Sequence, residues 1–192
     1  MRIYGNRRIK TLPGQTVRPT PSRVREAIFQ IWRDRISGCD WLDLCAGSGS
    51  MGAEALCRGA ATVTGIEKWG RAYSVIRDNW QTLAQPEQQI KILRGDVVIM
   101  LAKFAGRQFD CIYFDPPYAG ALYQPVLTAI AAHHLLAPDG EMAVEYSPRQ
   151  WQPLEIAGLM CDRCKTYGNS AIAFYRTSQD PENRPEVQAP WV

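Results

Sequence analysis

Four groups of residues in this chain are of types, and at intervals, that could do chemistry together: Asp115-Pro-Pro-Tyr118, the glycines 47, 49 and 52, Glu67 and Asp96. Asp115-Pro-Pro-Tyr118 is the most specific of them. Two consecutive prolines, Pro116 and Pro117, fix φ twice and remove two N–H donors, so the loop is stiff and offers acceptors only. The Asp115 carboxylate and the Pro116 carbonyl could accept both hydrogens of a planar amino group, which makes its nitrogen nucleophilic as reaction begins. Tyr118 supplies a flat face on which an unstacked base can lie, worth ~1–3 kcal/mol. The plain alternative is a rigid turn after a strand.

The stretch Trp41–Leu56 passes from an apolar run carrying one acid, Asp43, into Gly47-x-Gly49-x-x-Gly52 and then into good helix formers. That reads as strand, tight turn and helix. Glycines there allow positive φ and close approach of backbone to a ligand, and the helix start favours negative charge. Alone the motif is weak, since such turns also occur for structural reasons. Glu67, twenty residues after Gly47, is placed to accept from two ribose hydroxyls, and Asp96 could pair with the exocyclic amine of adenine. A nicotinamide-dependent oxidoreductase shares the loop and the ribose acid. Asp115-Pro-Pro-Tyr118 and the lack of an evident hydride-transfer acid argue against it.

Alternating strand and helix must position these groups. Strands are predicted over 40–45, 61–66, 90–94, 109–114 and 141–146, with helices over 50–58, 70–84, 97–104 and 122–134. Two strand-like runs, near 154–164 and 170–176, lack a helix between them and suggest an antiparallel hairpin at one edge. Repeated βα units imply an α/β, Rossmann-like parallel sheet with helices on both faces, whose ligands bind beyond the carboxyl ends of the strands. All four groups fall at such ends. Ahead of this body, residues 2–12 suggest a short hairpin. A helix then carries Val24, Ile28, Ile31 and Trp32 at helical spacing, with Thr20 or Ser22 as cap and Arg23 and Arg25 on its polar face.

At 192 residues, 46% apolar and 21% charged, the chain reads as one globular domain over 1–177. The proline-rich polar stretch 178–192 reads as a disordered tail. No run has the length of a membrane span and the first residues lack a signal-peptide core, so the cytoplasm is the expected location. The six cysteines suggest neither disulfides nor zinc, because Cys161-x-x-Cys164 lacks a second ligand pair and His133 and His134 are adjacent. No metal is expected. Charge is uneven: residues 1–35 hold nine Lys/Arg against Glu26 and Asp34, a balance of +7 within a net +3. A basic extension over about 1–35 suggests a polyanionic partner, with Arg7, Arg8, Lys10, Arg18, Arg23 and Arg25 as phosphate contacts.

From Arg2 to about Tyr175 the sequence resembles a class I S-adenosylmethionine-dependent methyltransferase, and within that class the bacterial small-subunit (16S) ribosomal RNA guanine-N2 methyltransferase family. The resemblance rests on Arg18-Pro-Thr20, Arg23-Val-Arg-Glu26 with Phe29, Asp43-Leu-Cys-Ala-Gly-Ser-Gly49, Asp115-Pro-Pro-Tyr118, and Gly168 with the apolar run to Tyr175. The N-terminal motif departs from the family: a Trp-Arg-Gly-Arg pattern is replaced by Tyr4-Gly-Asn-Arg-Arg-Ile-Lys10. The resemblance implies a seven-stranded, mostly parallel sheet ending in an antiparallel hairpin. It implies S-adenosylmethionine held by Asp43, Ala46, Gly47, Ser48 and Gly49 at its methionine end, with Thr20 assisting, and by Glu67 and Asp96 at the adenosine. The partner implied is ribosomal RNA or a small-subunit assembly intermediate, met by a monomer. Adenine-N6 methylation of DNA or RNA, and a non-catalytic RNA-binding module of the same fold, are the alternatives.

Overall fold

The computed structural model describes residues 1–12, 21–117 and 121–178. Arg18, Thr20, Tyr118 and the proposed tail beyond Ser178 lie outside the described residues.

Strands β1 (Arg2–Ile3) and β2 (Arg7–Arg8) pair antiparallel across a single 3₁₀ turn, Tyr4–Asn6. This is the short hairpin expected from the sequence. Helix α1 (Ser22–Ile31) follows; Pro21 stands at its N-cap and among the described residues no side chain caps it, so Ser22 does not take the capping role expected of Thr20 or Ser22.

The body is one seven-stranded sheet. It contains β3 (Asp40–Leu44), β4 (Thr62–Glu67), β5 (Gln89–Arg94), β6 (Phe109–Phe114), β7 (Leu136–Tyr146), β8 (Leu159–Tyr167) and β9 (Ser170–Thr177), in the order β5-β4-β3-β6-β7-β9-β8. Neighbours from β5 to β7 run parallel; β9 is inserted antiparallel between β7 and β8. The crossovers are α2 (Ser50–Cys57), α3 (Gly70–Leu83), α4 (Val97–Leu101) and α5 (Tyr123–Ala132). Strand alternation sends β3 residues to opposite faces. Leu42 joins a core with Ile112, Phe114, Val126 and Ile130, while Trp41 joins Phe29, Val63, Ile76 and Trp80. Phe29 and Trp41 stack at 5.4 Å and 10°, which seats α1 on the sheet. Both faces are thus covered, as a parallel sheet requires.

Two strands differ from the sequence reading. β7 begins at Leu136 and includes Pro138-Asp-Gly140, because a register shift between Phe109↔Leu136 and Cys111↔Glu141 absorbs the extra residues. Gly140 permits it: a Cβ there would lie 2.9 Å from the Phe109 carbonyl oxygen. β8 starts five residues later than the run at 154–164, since the Leu154 backbone binds the Tyr175 hydroxyl instead of a strand. A second irregularity between Cys161 and Arg163 brings the Cys161 and Cys164 sulfurs to 3.8 Å, and all six cysteines are free. Among the described residues no helix is long and apolar enough to cross a membrane.

Candidate active site

The carboxyl ends of β3, β4, β5 and β6 bring the predicted groups together. After β3 the chain turns through three left-handed residues, Cys45 (φ 59°), Gly47 (φ 57°) and Gly49 (φ 71°), before α2 begins. The turn closes with the Gly49 N–H on the Ala46 carbonyl at 2.7 Å. Ala46 and Gly47 are half-buried and Ser48 is buried.

Asp43 lies behind this loop. It is 1% exposed and accepts the Gly52 N–H at 2.9 Å. Burial, with a smaller push from the Glu67 charge, raises its pKa to about 8 against the pull of that amide. Asp43 therefore shapes the loop from within, which corrects its expected place at a ligand's surface. Glu67 is half-buried, and its two oxygens accept the Gly47 and Trp69 N–H groups, each at 2.8 Å. Each oxygen keeps a second acceptor direction for a ligand hydroxyl. Asp96 caps α4 by accepting the Val98 N–H at 3.1 Å, and Lys68 approaches its other oxygen at 3.2 Å. The Lys68 hydrogen bond leads in holding its carboxyl below the usual range.

Cys45 shows how closely these acids converge. Burial comes first in raising its thiol, followed by the charges of Glu67, Asp115, Asp43 and Asp96. The charges of all four carboxylates singled out in the sequence are felt at this one thiol. Asp115 is half-buried directly after β6; Pro116 is buried and Pro117 exposed. Among the described residues no cluster of His, Cys, Asp and Glu is arranged to hold a metal. A cluster of acids beside a backbone loop at these strand ends suits a cationic nucleoside ligand.

Several supports escaped the sequence reading. The Tyr113 hydroxyl donates to buried Glu145 at 2.6 Å, and the Tyr123 hydroxyl donates to the Glu145 carbonyl at 3.2 Å, so the ends of β6 and β7 are tied beside Asp115. Trp80 accounts for two glycines of the loop and one beyond it. A Cβ on Gly52 would sit 2.3 Å from its ring, one on Gly65 2.5 Å, and one on Gly49 2.8 Å from its Nε1. That Nε1 also donates to the Gly49 carbonyl at 2.8 Å. The side-chain directions of Gly49 and Gly52 thus point at the indole. Asn79, one residue earlier, donates to the Ser48 and Lys10 carbonyls and accepts the Lys10 N–H, binding the N-terminal segment to the loop.

The basic residues divide. Arg7, Arg8, Lys10 and Arg23 are exposed. Arg25 is not, being 3% exposed with its Nε 2.5 Å from Glu54 and its guanidinium donating to the Arg2 carbonyl at 3.0 Å. It is corrected from phosphate contact to internal ion pair. The signal was present: 25, 29 and 32 follow i, i+4, i+7 with Phe29 and Trp32, so Arg25 belongs to the buried stripe.

Residues 1–176 match the family described as Conserved hypothetical protein 95. The chain is 31% identical over 172 residues to "Putative rRNA methyltransferase YlbH" of Bacillus subtilis, covering 88% of this chain and 93% of that protein. It is 28% identical to "Ribosomal RNA small subunit methyltransferase D" of Haemophilus influenzae, covering 80% and 83%. Among solved structures, "Putative methyltransferase yhhF" from Escherichia coli superposes with a TM-score of 0.79 at 29% identity, covering 92% of this chain and 97% of that one. The resemblance read from the motifs is borne out, and the chain belongs to the Conserved hypothetical protein 95 family.

Proposed function

We propose that this protein transfers a methyl group from S-adenosylmethionine to the exocyclic N2 amine of a guanine in 16S ribosomal RNA. The observation that carries the reading is that the glycine loop, Glu67, Asp96 and Asp115 stand at the carboxyl ends of four adjacent strands, β3, β4, β5 and β6. It sets the acids that suit a nucleoside against the acid that suits an amino group.

In this reading Glu67, oriented by two backbone amides, accepts from the ribose diol, and Asp96 takes the adenine end. Ala46, Gly47, Ser48 and Gly49 face the methionine end, held in shape by Asp43, with Thr20 completing the site. Bound there, the cofactor supplies an electrophilic methyl on a sulfonium. Asp115 and the Pro116 carbonyl accept the two amine hydrogens and stabilise the positive charge that grows on nitrogen. Pro117 keeps the loop stiff, and Tyr118 gives the base a face to stack on. The target must be unpaired or flipped out, because this crevice cannot be reached from inside a helix.

Ribosomal RNA is favoured over DNA by two features, and guanine rests on the family resemblance of the Arg18–Phe29 segment. The relatives named above act on ribosomal RNA by their names. Between Pro117 and β7 the described residues carry the single helix α5, with no separate target-recognition region. The test is to incubate the protein with labelled S-adenosylmethionine and ribosomal RNA from cells lacking the gene, digest to nucleosides and identify the label. N2-methylguanosine is expected. Label in N6-methyladenosine would overturn the substrate while sparing cofactor and fold.

A further inference from the structure

One aromatic ring on the N-terminal hairpin has no role in the chemistry above. Tyr4 is 51% exposed, in the 3₁₀ turn between β1 and β2. Its inner face is covered: the Arg58 guanidinium lies 4.2 Å from the ring centroid, and the same guanidinium lies 5.0 Å from the Phe29 ring. Arg58 is itself held, donating to Glu54 Oε1 at 2.9 and 3.2 Å, while Glu54 Oε2 takes Arg25. Arg25 in turn binds the backbone of Arg2 on the hairpin. A buried ion network thus fixes the cation beneath Tyr4 and leaves the outer face of the ring to solvent. The turn is set by left-handed Gly5 and Asn6, and Asn6 accepts from the Arg2 guanidinium at 2.8 Å. Arg7 reaches the Cys57 sulfur at 3.2 Å, beside Arg58, and Arg8 is exposed on the next position.

We infer that Tyr4 is a stacking platform for an unpaired RNA base that flanks the target nucleotide, with Arg7 and Arg8 meeting the phosphates on either side. A preoriented ring with a guanidinium behind it and guanidiniums beside it suits a base joined to a polyanion. Arg58 marks the far end of α2, whose eight residues span ~12 Å from the glycine loop, so the platform takes a neighbouring base and not the reacting one. The inference rests on the RNA reading of the proposed function.

The test uses the full chain, a small-subunit ribosomal RNA transcript and the variants Tyr4→Ala, Tyr4→Phe and Arg8→Ala. Tyr4→Ala should weaken RNA binding roughly five- to 150-fold, the range of one base–aromatic stack. It should raise KM for RNA, with kcat, S-adenosylhomocysteine affinity and the salt dependence of binding unchanged. Tyr4→Phe should bind as wild type, and Arg8→Ala should flatten the salt slope by about 0.7. RNA binding by Tyr4→Ala equal to wild type, or Tyr4→Phe as weak as Tyr4→Ala, overturns the platform while methylation by the wild type leaves the proposed function standing. A wild-type protein that neither binds nor labels RNA overturns both. Should Tyr4→Ala lower the melting temperature, photocrosslinking of 4-thiouridine-substituted transcript to the wild type decides: label on Tyr4 is expected, and label only outside residues 2–8 overturns the inference.

Discussion

Two sets of buried or half-buried carboxylates stand in this molecule, and they are treated differently. Glu54 and Glu141 are each 1% exposed, and each is met by two guanidiniums: Arg25 and Arg58 for one, Arg163 and Arg176 for the other, with the Trp32 indole N–H added at Glu141. Burial alone would raise Glu141, yet the bonds from Arg163, Trp32 and Arg176 together hold it below the usual carboxylate range. Asp43 is equally buried but is met by one backbone amide, and its pKa climbs to about 8. Glu67 takes two backbone amides. The first set bolts the frame together. The second leaves its acids with backbone amides alone for partners, at the strand ends where a ligand would complete them, a common cost of functional sites.

The comparison breaks most visibly at the bolts. Glu54→Ala would leave Arg25 buried without its carboxylate, and loss of one partner of a buried pair costs about 3–5 kcal/mol. Chemical denaturation should show that loss. A change under about 1 kcal/mol would erase the distinction between the sets.

Next in size is Asp115→Ala. Methyl transfer should fall at least about a hundredfold, with cofactor affinity little changed. Loss of cofactor binding in calorimetry would move Asp115 from the amine to the nucleoside. Glu67→Ala should weaken S-adenosylmethionine binding by roughly 1.5–3 kcal/mol. Because Glu67 also orders the Gly47 and Trp69 amides, Glu67→Gln sharpens the result: near-normal stability with weakened binding assigns the effect to the ligand.

The smallest effect is a slope. The folded protein keeps the Asp43 proton up to about pH 8, whereas an unfolded aspartate releases it near 3.8. Between those values the folded state binds the extra proton, so this group makes stability fall as pH rises. Asp43→Asn, which can still accept from Gly52, should remove that part of the decline in melting temperature across pH 5–8. An unchanged slope would show that Asp43 is already ionised in the folded protein.

The acids at strand ends were legible because two local signals, strand period and glycine turn, locate them without knowledge of packing. Glu67 and Asp115 needed no more than that. Arg25 was misread because its partner, Glu54, lies 29 residues away on another helix, and a charge without a visible partner reads as solvent-facing. The helical stripe through Phe29 and Trp32 was the better guide. The bulge that pairs Cys161 with Cys164 is a property of the β8–β9 register, which no local pattern announces. Tyr113 and Glu145 meet across two parallel strands, again by register alone.

Trp80 leaves a historical constraint on the loop it supports. Its ring occupies the space where side chains at 49, 52 and 65 would stand. The motif is therefore, at two of its three glycines, the imprint of an indole. Any drift at Gly52 toward alanine is closed while the ring is present, and Val63, whose Cγ1 would lie 2.9 Å from that Cβ, must also give way. The large residue must shrink before either position can take a side chain, and Gly49 stays bound to glycine even then by its left-handed φ.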